Sequence, residues 1–244
     1  MNYNTDFISK AIKTRFGYIH EMRHLGSGPT IVFLHGLAAS TKTWTRLVNL
    51  LSDNLDVCLI DLLGHGESAK PRMNYTIKSQ LSIIDDLIKE EGMHNLYLFG
   101  HSYGGWIAAS YARLNNIKGL VLEDSGGLKG FYDEIIGTMP RERYNTGMIS
   151  KAKELGADTY VVRNILEDEF KEGQLGAEDL QQIKTRTMVL WGSEDSIISP
   201  KYANVFAENI AGSSLIMING AKHTPHYTHS EKVASALLNF VSPQ

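Results

Sequence analysis

The fold of this chain is best predicted from one stretch, residues 96–106, which has the sequence LYLFGHSYGGW. An apolar run ends there in the pattern G-x-S-x-G around Ser102, and an alanine-rich run follows. This order predicts a strand, a very tight turn and a helix, with Ser102 at the tip of the turn. Gly100 and Gly104 flank the serine, where side chains would crowd a helix that folds straight back on its strand. The exposed hydroxyl, facing the first N–H groups of the helix, has the properties of a nucleophile that attacks a carbonyl group.

The bulk composition is that of an ordinary globular protein. The 244 residues fit one large domain or two small ones, and 43% of them are hydrophobic and 21% charged. There are 24 basic and 27 acidic residues, which leaves a net charge of −3. Such a balance gives no electrostatic reason to expect nucleic acid or an anionic membrane as a partner.

Cysteines and long apolar segments are nearly absent. The single cysteine, Cys58, lies in an apolar run and cannot form an internal disulfide or a thiolate metal cluster. Residues 1–15 are polar and contain no apolar core of signal-peptide length. No stretch approaches the roughly 20 apolar residues of a membrane span. We therefore expect a cytoplasmic protein without a membrane span.

Strand-like runs recur along the chain and alternate with helical patterns. Beyond the central stretch, they are residues 15–23, 30–34, 56–60, 117–122, 187–191 and 214–218. The continuous runs at 30–34 and 56–60 suit strands buried on both faces. Repeated strand–helix units predict a mostly parallel, doubly wound α/β sheet.

The alternation stops between residues 128 and 184, where the sequence is helical, charged and free of strand patterns. An insertion of this length predicts a small helical lid rather than a separate domain. Its apolar residues either face a substrate pocket or pack the lid onto the body. They are Phe131, Tyr132, Ile135, Ile136, Met139 and Met148.

Polar residues follow the ends of most predicted strands. They are His35, Asp61, Ser102, Asp124, Asp195 and His223. Ligands of doubly wound sheets bind at the carboxyl ends of the strands. These side chains, although scattered in sequence, are therefore expected to converge on one rim.

A serine nucleophile needs a base within hydrogen-bond reach, and His223 is the favoured one. It follows the last strand, and Gly220 and Pro225 keep its loop from becoming helical. His226 and His229 are rival bases. A metal site made by these three histidines is disfavoured, because the proline breaks helical spacing and no cysteine or paired carboxylate completes the ligands.

The base needs a carboxylate that orients it, and Asp195 is favoured for that role. It lies in a turn just past its strand and between Ser102 and His223 in the chain. Asp124 is the alternative acid, and it could equally be a turn acceptor. Glu194 is interpreted as a solvated neighbour.

A developing oxyanion needs two N–H donors, and the N–H of Tyr103 is one by its position after the nucleophile. The N–H of Leu37, in the loop after the strand that ends at His35, is expected to be the second. His65 and His101, like His35, are interpreted as supporting or loop histidines rather than catalysts. Tyr103, Trp44 and Trp106 are candidates for lining an acyl pocket. The two tryptophans fit the core equally well.

With these motifs assembled, the chain resembles the α/β-hydrolase superfamily, and in particular its small-lid carboxylesterases and monoacylglycerol-lipase-like enzymes. The matching stretches follow family order and are residues 33–37, 61–68, 100–105, 190–195 and 220–225. The resemblance implies Ser102 as nucleophile, Asp195 as acid and His223 as base, with backbone N–H donors at Leu37 and Tyr103. Dehalogenases and epoxide hydrolases place an aspartate where this chain has its serine, so they are disfavoured.

The resemblance also implies the domain organisation and the chemistry. We expect a hydrolase core over 1–126 and 186–244 and a helical lid over 127–185, inserted after the sixth strand. The expected activity is hydrolysis of short- to medium-chain carboxylic esters without a metal or organic cofactor, in a monomer or homodimer. The alternatives are a carbon–carbon bond (diketone) hydrolase or another triad enzyme of the same fold, and, outside the enzymes, a small-molecule receptor on a hydrolase fold. Candidate substrate contacts are His35, Trp44, Trp106, Phe131, Ile135 and Met139.

Overall fold

Within residues 7–51, 54–169, 171 and 173–242, which the computed structural model describes, the chain forms eight strands. They are β1 (Ile8–Thr14), β2 (Gly17–His24), β3 (Thr30–Leu34), β4 (Asp56–Ile60), β5 (Tyr97–His101), β6 (Gly119–Glu123), β7 (Thr187–Gly192) and β8 (Ser214–Ile218). They form one sheet in the order β1-β2-β4-β3-β5-β6-β7-β8. β2 pairs antiparallel with β1 and β4, and all other neighbours are parallel. The predicted doubly wound, mostly parallel sheet is confirmed.

Helices connect the strands in the described part of the chain. They are a 3-10 turn at Thr41–Trp44, then α1 (Thr45–Val48), α2 (Ile77–Glu90), α3 (Tyr103–Leu114), α4 (Lys129–Thr138), α5 (Arg141–Glu154), α6 (Thr159–Glu169), α7 (Ala177–Leu180), α8 (Lys201–Asn209), α9 (Pro225–Thr228) and α10 (Ser230–Val241). None of these described helices is long and apolar enough to span a membrane.

The central strands bury apolar side chains on both faces of the sheet, because successive residues of a strand point to opposite sides. One face packs against α2, α3 and α8, in a cluster that includes Leu98 and Ile107. The other face packs against α1 and α10, in a cluster that includes Phe99 and Leu237. Burial on two sides explains why these strands are continuous apolar runs in the sequence.

The N-terminus differs from the prediction of one early strand over residues 15–23. Arg15 and Phe16 form the turn of a hairpin, in which Thr14 lies opposite Gly17. β1 was not predicted because its apolar alternation is weak, and its buried side chains are only those of Ile12 and Thr14. The hairpin makes β6 the sixth strand among the described residues, and the inserted segment follows it.

Four helices, α4 to α7, lie between β6 and β7, and no strand of the sheet lies in the described part of this segment. An isolated parallel bridge joins Leu128 to Leu175. The helical character expected here is therefore present, while the division into a core and a lid over 127–185 stays a prediction about domains.

Candidate active site

Ser102 lies in the turn between β5 and α3, where its backbone has φ 53° and ψ −115°. A non-glycine residue held in such a region costs about 1–3 kcal/mol, so neighbouring contacts have to fix it. The Ser102 N–H donates to the carbonyl of Glu123 at 3.0 Å. Glycines provide the space: a Cβ at Gly104 would lie 2.1 Å from the carbonyl oxygen of Leu34, and a Cβ at Gly100 would lie 2.3 Å from that of Gly104. The strained turn thus depends on two residues without side chains.

The ring of His223 lies between Ser102 and Asp195. Its Nε2 is 3.1 Å from Oγ of Ser102, and its Nδ1 is 2.7 Å from Oδ2 of Asp195. A carboxylate accepts hydrogen bonds, so Nδ1 carries the proton and Nε2 is left to accept one from the serine. Oδ1 of Asp195 accepts the N–H groups of Ile197 at 2.7 Å and Ile198 at 3.1 Å, which fix the carboxylate. The His223 side chain is 19% exposed and so remains reachable from solvent.

The loop after β3 approaches the nucleophile closely. A Cβ on Gly36 would lie 3.3 Å from Cβ of Ser102, so the next N–H, that of Leu37, is near the serine. Among the described residues, the Leu37 N–H has no hydrogen-bond acceptor. Tyr103 is the first residue of α3, where N–H groups have no earlier helical carbonyl to bond. Both predicted oxyanion donors are thus backbone groups beside the serine.

A family model described as alpha/beta hydrolase fold matches residues 29–161, more than half of the chain. The chain belongs to this family. Lipase 1 of Psychrobacter immobilis is 27% identical over 235 residues, covering 82% of this chain and 72% of the lipase. The 2-hydroxy-6-oxo-6-(2'-aminophenyl)hexa-2,4-dienoic acid hydrolase of Metapseudomonas resinovorans is 24% identical over 254 residues, covering 91% of this chain and 88% of that enzyme.

Solved structures show the same fold. The crystal structure of naproxen esterase (carboxylesterase NP) from Bacillus subtilis matches this alpha/beta hydrolase with a TM-score of 0.75 at 18% identity. The match covers 98% of this chain and 93% of the esterase. At this identity the likeness establishes the architecture of the chain, and the reaction has to be inferred from the site.

His35, which the sequence suggested both as a supporting histidine and as a candidate substrate contact, is a structural residue of this alpha/beta hydrolase. It is fully buried. Its Nδ1 donates to the carbonyl of Gly36 at 2.8 Å, and its Nε2 accepts the N–H of Leu62 at 3.0 Å. Burial lowers the pKa of His35, which stays neutral and joins the loops after β3 and β4.

The two other histidines near the nucleophile are also buried supports. Burial lowers the pKa of His65 to about 3. Burial and the neighbouring His226 and His223 hold the pKa of His101 well below its usual range. Nε2 of His101 donates to the carbonyl oxygen of His223 at 2.6 Å. A neutral His101 therefore holds the loop that carries the candidate base.

A buried acid–histidine pair lies beneath this loop and was not predicted from the sequence. Oε1 of Glu123 accepts the N–H of His226 at 2.8 Å, and Oε2 bonds to Nδ1 of the same histidine. Nε2 of His226 is 2.8 Å from Oγ1 of Thr43. Both ring nitrogens are occupied, so this rival base is a support instead. The other rival, His229, bonds to Oγ1 of its neighbour Thr228 at 3.0 Å.

Asp61, predicted at the same rim, fixes the loop after β4. Its Oδ1 accepts the N–H of Thr41 at 2.6 Å, and its Oδ2 accepts the N–H of Glu67 at 2.8 Å and contacts Nδ1 of His20 at 2.9 Å. Burial opposes its ionisation, but the donated hydrogen bonds outweigh it and lower its pKa. Every oxygen of this carboxylate is satisfied within the protein.

The two tryptophans that the sequence left open are both buried. Trp44 belongs to the core on the face of α1 and α10, with ring centroids 4.3 Å from His226 and 5.2 Å from Phe33. It is therefore a core residue rather than a pocket contact. Trp106 is 1% exposed, and its Nε1 donates to the carbonyl of Gly173 at 2.9 Å. This bond ties α3 to the inserted segment.

The inserted segment contacts the site in two places. Phe131 and Ile135 of α4 line a cleft of about 260 Å³ together with Asp195 and Ile197. Met139, at the end of α4, is 38% exposed and is not among the residues that line this cleft. The candidate contacts Phe131 and Ile135 thus lie beside the acid, whereas Met139 lies outside the cleft.

The second contact involves the Leu37 loop. Leu37 and Ala38 pack against a small apolar cluster of the inserted segment that includes Met148, Val162 and Leu166. Ala38 has φ 60°, a conformation that costs energy for a residue with a side chain. Packing from the inserted segment therefore helps to hold the loop that carries the Leu37 N–H.

Two sets of side chains have ligand atoms within 4.8 Å of one another, as a metal site requires: His101, Asp124 and His223, and His101, Glu123 and His226. Hydrogen bonds already occupy His223 in the first set and both oxygens of Glu123 in the second. Because His223 and Glu123 already make hydrogen bonds within the protein, these two sets fit a hydrogen-bonded catalytic site better than a metal centre.

Glu169, at the end of α6, is a buried carboxyl that the sequence did not single out. It is 5% exposed, and burial, with a smaller contribution from Asp168, raises its pKa to about 8. Its side chain is therefore mainly neutral at pH 7. The ordinary value is 4.5, so the unfolded chain ionises this group far more easily.

Replacing Glu169 with glutamine is expected to stabilise the protein at pH 7 by roughly 2 kcal/mol. In the wild type, the free-energy cost of burying Glu169 is absent below the unfolded pKa of 4.5, grows as the pH rises towards 8, and is constant above that value. Urea unfolding at pH 4.5 and pH 8 measures this cost as the difference in the free energy of unfolding between the variant and the wild type. The exposed Glu154→Gln is the matched control. An equal gain for Glu169→Gln at both pH values would contradict a buried, neutral carboxyl.

Proposed function

We propose that this protein is a serine hydrolase that cleaves carboxylic esters through an acyl-enzyme on Ser102. The observation that carries the proposal is the hydrogen-bonded series from Oγ of Ser102 to His223 at 3.1 Å and on to Asp195 at 2.7 Å. A serine hydroxyl is a weak nucleophile unless a base of this kind accepts its proton. The lipase and esterase likenesses within the family support the same class of reaction.

In the first half of the reaction, His223 takes the proton of Ser102 as Oγ attacks the ester carbonyl. The N–H groups of Leu37 and Tyr103 donate to the oxyanion that forms. Asp195 holds the imidazole in the required tautomer and stabilises its cation. His223 then protonates the leaving alcohol, which departs and leaves the acyl group on the serine.

In the second half, His223 removes a proton from a water molecule, which attacks the acyl carbonyl. The same two N–H groups stabilise the second oxyanion, and the carboxylic acid leaves as Ser102 regains its proton. Loss of one such donor typically costs about 10²–10³ in turnover. No metal or organic cofactor takes part in this proposed sequence of steps.

The inserted segment acts in this proposal as a lid that selects the acyl group. Supporting observations are its contact with the Leu37 loop and the bond between Trp106 and Gly173. Phe131 and Ile135 of the same segment line the cleft of about 260 Å³ beside Asp195. A short- to medium-chain acyl group is the proposed substrate, in line with the small-lid carboxylesterases that the sequence resembles.

The proposal is tested by initial rates on p-nitrophenyl esters of increasing chain length from acetate, with Ser102→Ala as the blank. We expect a maximum at short or medium chains that is absent from the blank. A maximum at long chains would contradict the proposed acyl chain length. Absence of any serine-dependent rate would contradict ester hydrolysis and favour either carbon–carbon bond cleavage or ligand binding without turnover.

Carbon–carbon bond hydrolysis is the second candidate, because it uses the same serine, histidine and aspartate. The likeness to a dienoic acid hydrolase, which is 24% identical over 254 residues, supports this second candidate. The two are distinguished by rates on a vinylogous 1,5-diketone and on the best p-nitrophenyl ester. Fast cleavage of the diketone with negligible ester turnover would establish the second candidate.

A further inference from the structure

Asp124 is a buried carboxyl directly behind the candidate site. It follows β6, is fully buried, and has φ 43°, a positive value for a residue with a side chain. Its Oδ1 accepts the N–H of Gly192 at 2.9 Å. Its Oδ2 is buried as well and has no hydrogen-bond partner among the described residues.

The surroundings of Asp124 connect it to the base. One of its carboxyl oxygens lies within 4.8 Å of a ring nitrogen of His223 and of a ring nitrogen of His101. Burial, with the negative charges of Glu123 and Asp195 close by, raises the pKa of Asp124 to about 10. The group is therefore neutral at pH 7 while Asp195 accepts three hydrogen bonds as a carboxylate.

Asp124 differs from Asp61, a buried carboxyl whose role is purely structural. Asp61 also follows a strand end and is buried, but both of its oxygens are bonded and its pKa is lowered. A turn acceptor is satisfied in this way. Asp124 instead keeps one oxygen unpartnered among the described residues, next to the histidine that the reaction uses.

We propose that Asp124 is a positioning residue, a reserve carboxyl that replaces Asp195 as the partner of His223 when Asp195 loses its charge. The inference rests on the proposed function of the site. Neutralising Asp195 removes one of the negative charges that oppose ionisation of Asp124, and the imidazolium of His223, whose ring nitrogen lies within 4.8 Å of an Asp124 oxygen, favours the ionised form. The ionised Asp124 then stabilises the imidazolium of His223 from within the same pocket.

The experiment compares Asp195→Asn, Asp124→Asn and the double variant. The readout is the rate at which a fluorophosphonate probe labels Ser102, followed by intact-protein mass spectrometry. An orienting aspartate is typically worth about 10⁴ in rate when no other group replaces it. We expect a loss of about 10²–10³ for Asp195→Asn, of two- to fivefold for Asp124→Asn, and at least a further tenfold for the double variant.

The matched control is Glu194→Gln, which neutralises an exposed carboxyl next to Asp195 and should leave the rate unchanged. Thermal unfolding establishes that each variant is folded. If the double variant does not fold, Asp124→Ser in the Asp195→Asn background removes the carboxyl with a smaller side chain. If Asp124 is purely structural, its replacement lowers the labelling rate by the same factor with or without Asp195. If it is a reserve carboxyl, its replacement lowers the labelling rate most when Asp195 is absent.

Two results would overturn the role of Asp124. Equal labelling rates for Asp195→Asn and the double variant would show that no reserve exists. A loss for Asp124→Asn as large as that for Asp195→Asn would make Asp124 the primary acid instead. Failure of the probe to label the wild-type protein would overturn the proposed function itself, and with it this inference.

Discussion

Replacing Ser102 with alanine is expected to lower ester turnover at least about 10⁴-fold. Oγ of Ser102 lies 3.1 Å from Nε2 of His223 and gives up its proton to that nitrogen in the proposed reaction. Alanine has no hydroxyl that could replace it. The residual rate would come from the oxyanion donors and substrate binding alone. Turnover of a p-nitrophenyl ester, measured at saturating substrate, gives the loss.

The fold of this variant should be intact, because alanine fills the same backbone position and removes a single oxygen. Its melting temperature is therefore expected to stay within a few degrees of the wild-type value. Ser110→Ala, a buried serine on α3 away from the turn, is the matched control and should keep full activity. Retention of most activity by Ser102→Ala would contradict its assignment as nucleophile.

The parts of the fold that the sequence predicts well are those encoded locally. The runs at 31–34 and 57–60 are apolar throughout because β3 and β4 are buried on both faces. The pattern around Ser102 predicts the strand, turn and helix because glycine is needed at both flanks. Since parallel strands end at one rim, the approach of His223 and Asp195 to the serine also follows from sequence.

Partnerships between distant side chains could not be predicted. Glu123 and His226 are 103 residues apart, and only the folded chain shows that they bond. His35 follows a strand and Trp44 ends a 3-10 turn, and at both places pocket and core positions look alike until burial is known. The weak pattern of β1 became a strand only through its pairing with β2. In each case tertiary contacts decide what local propensity leaves open.

Buried side chains at the ends of two strands support the loop that carries the candidate base. His101 bonds to the carbonyl of His223, and Glu123 bonds to the backbone of His226 three residues later. Together they hold the loop that carries the candidate base against the ends of β5 and β6. A base has to stay within a few tenths of an ångström of its hydrogen-bond distance to the nucleophile, so such buried bonds contribute to reactivity without touching substrate.

Gly104→Ala is expected to damage both stability and activity. The new Cβ would lie 2.1 Å from the carbonyl oxygen of Leu34 and 2.5 Å from its carbon, and a central strand cannot move away without losing sheet hydrogen bonds. We expect a loss of at least about 3 kcal/mol in the free energy of unfolding, or roughly 6–12 °C in melting temperature. Gly104 has no positive φ, so the effect comes from the clash alone.

The matched control is Gly130→Ala in α4, where the nearest atom to a new Cβ is 3.8 Å away, an ordinary contact. Alanine favours helices, so this variant should be as stable as the wild type or slightly more so. In Gly104→Ala, the start of α3 has to shift away from β3 and carry the Tyr103 N–H with it. Activity at a temperature where the variant is still folded should therefore fall at least tenfold, because the oxyanion donor leaves its position. Normal stability and normal turnover together would show that the close approach of helix and strand is not what holds the nucleophile.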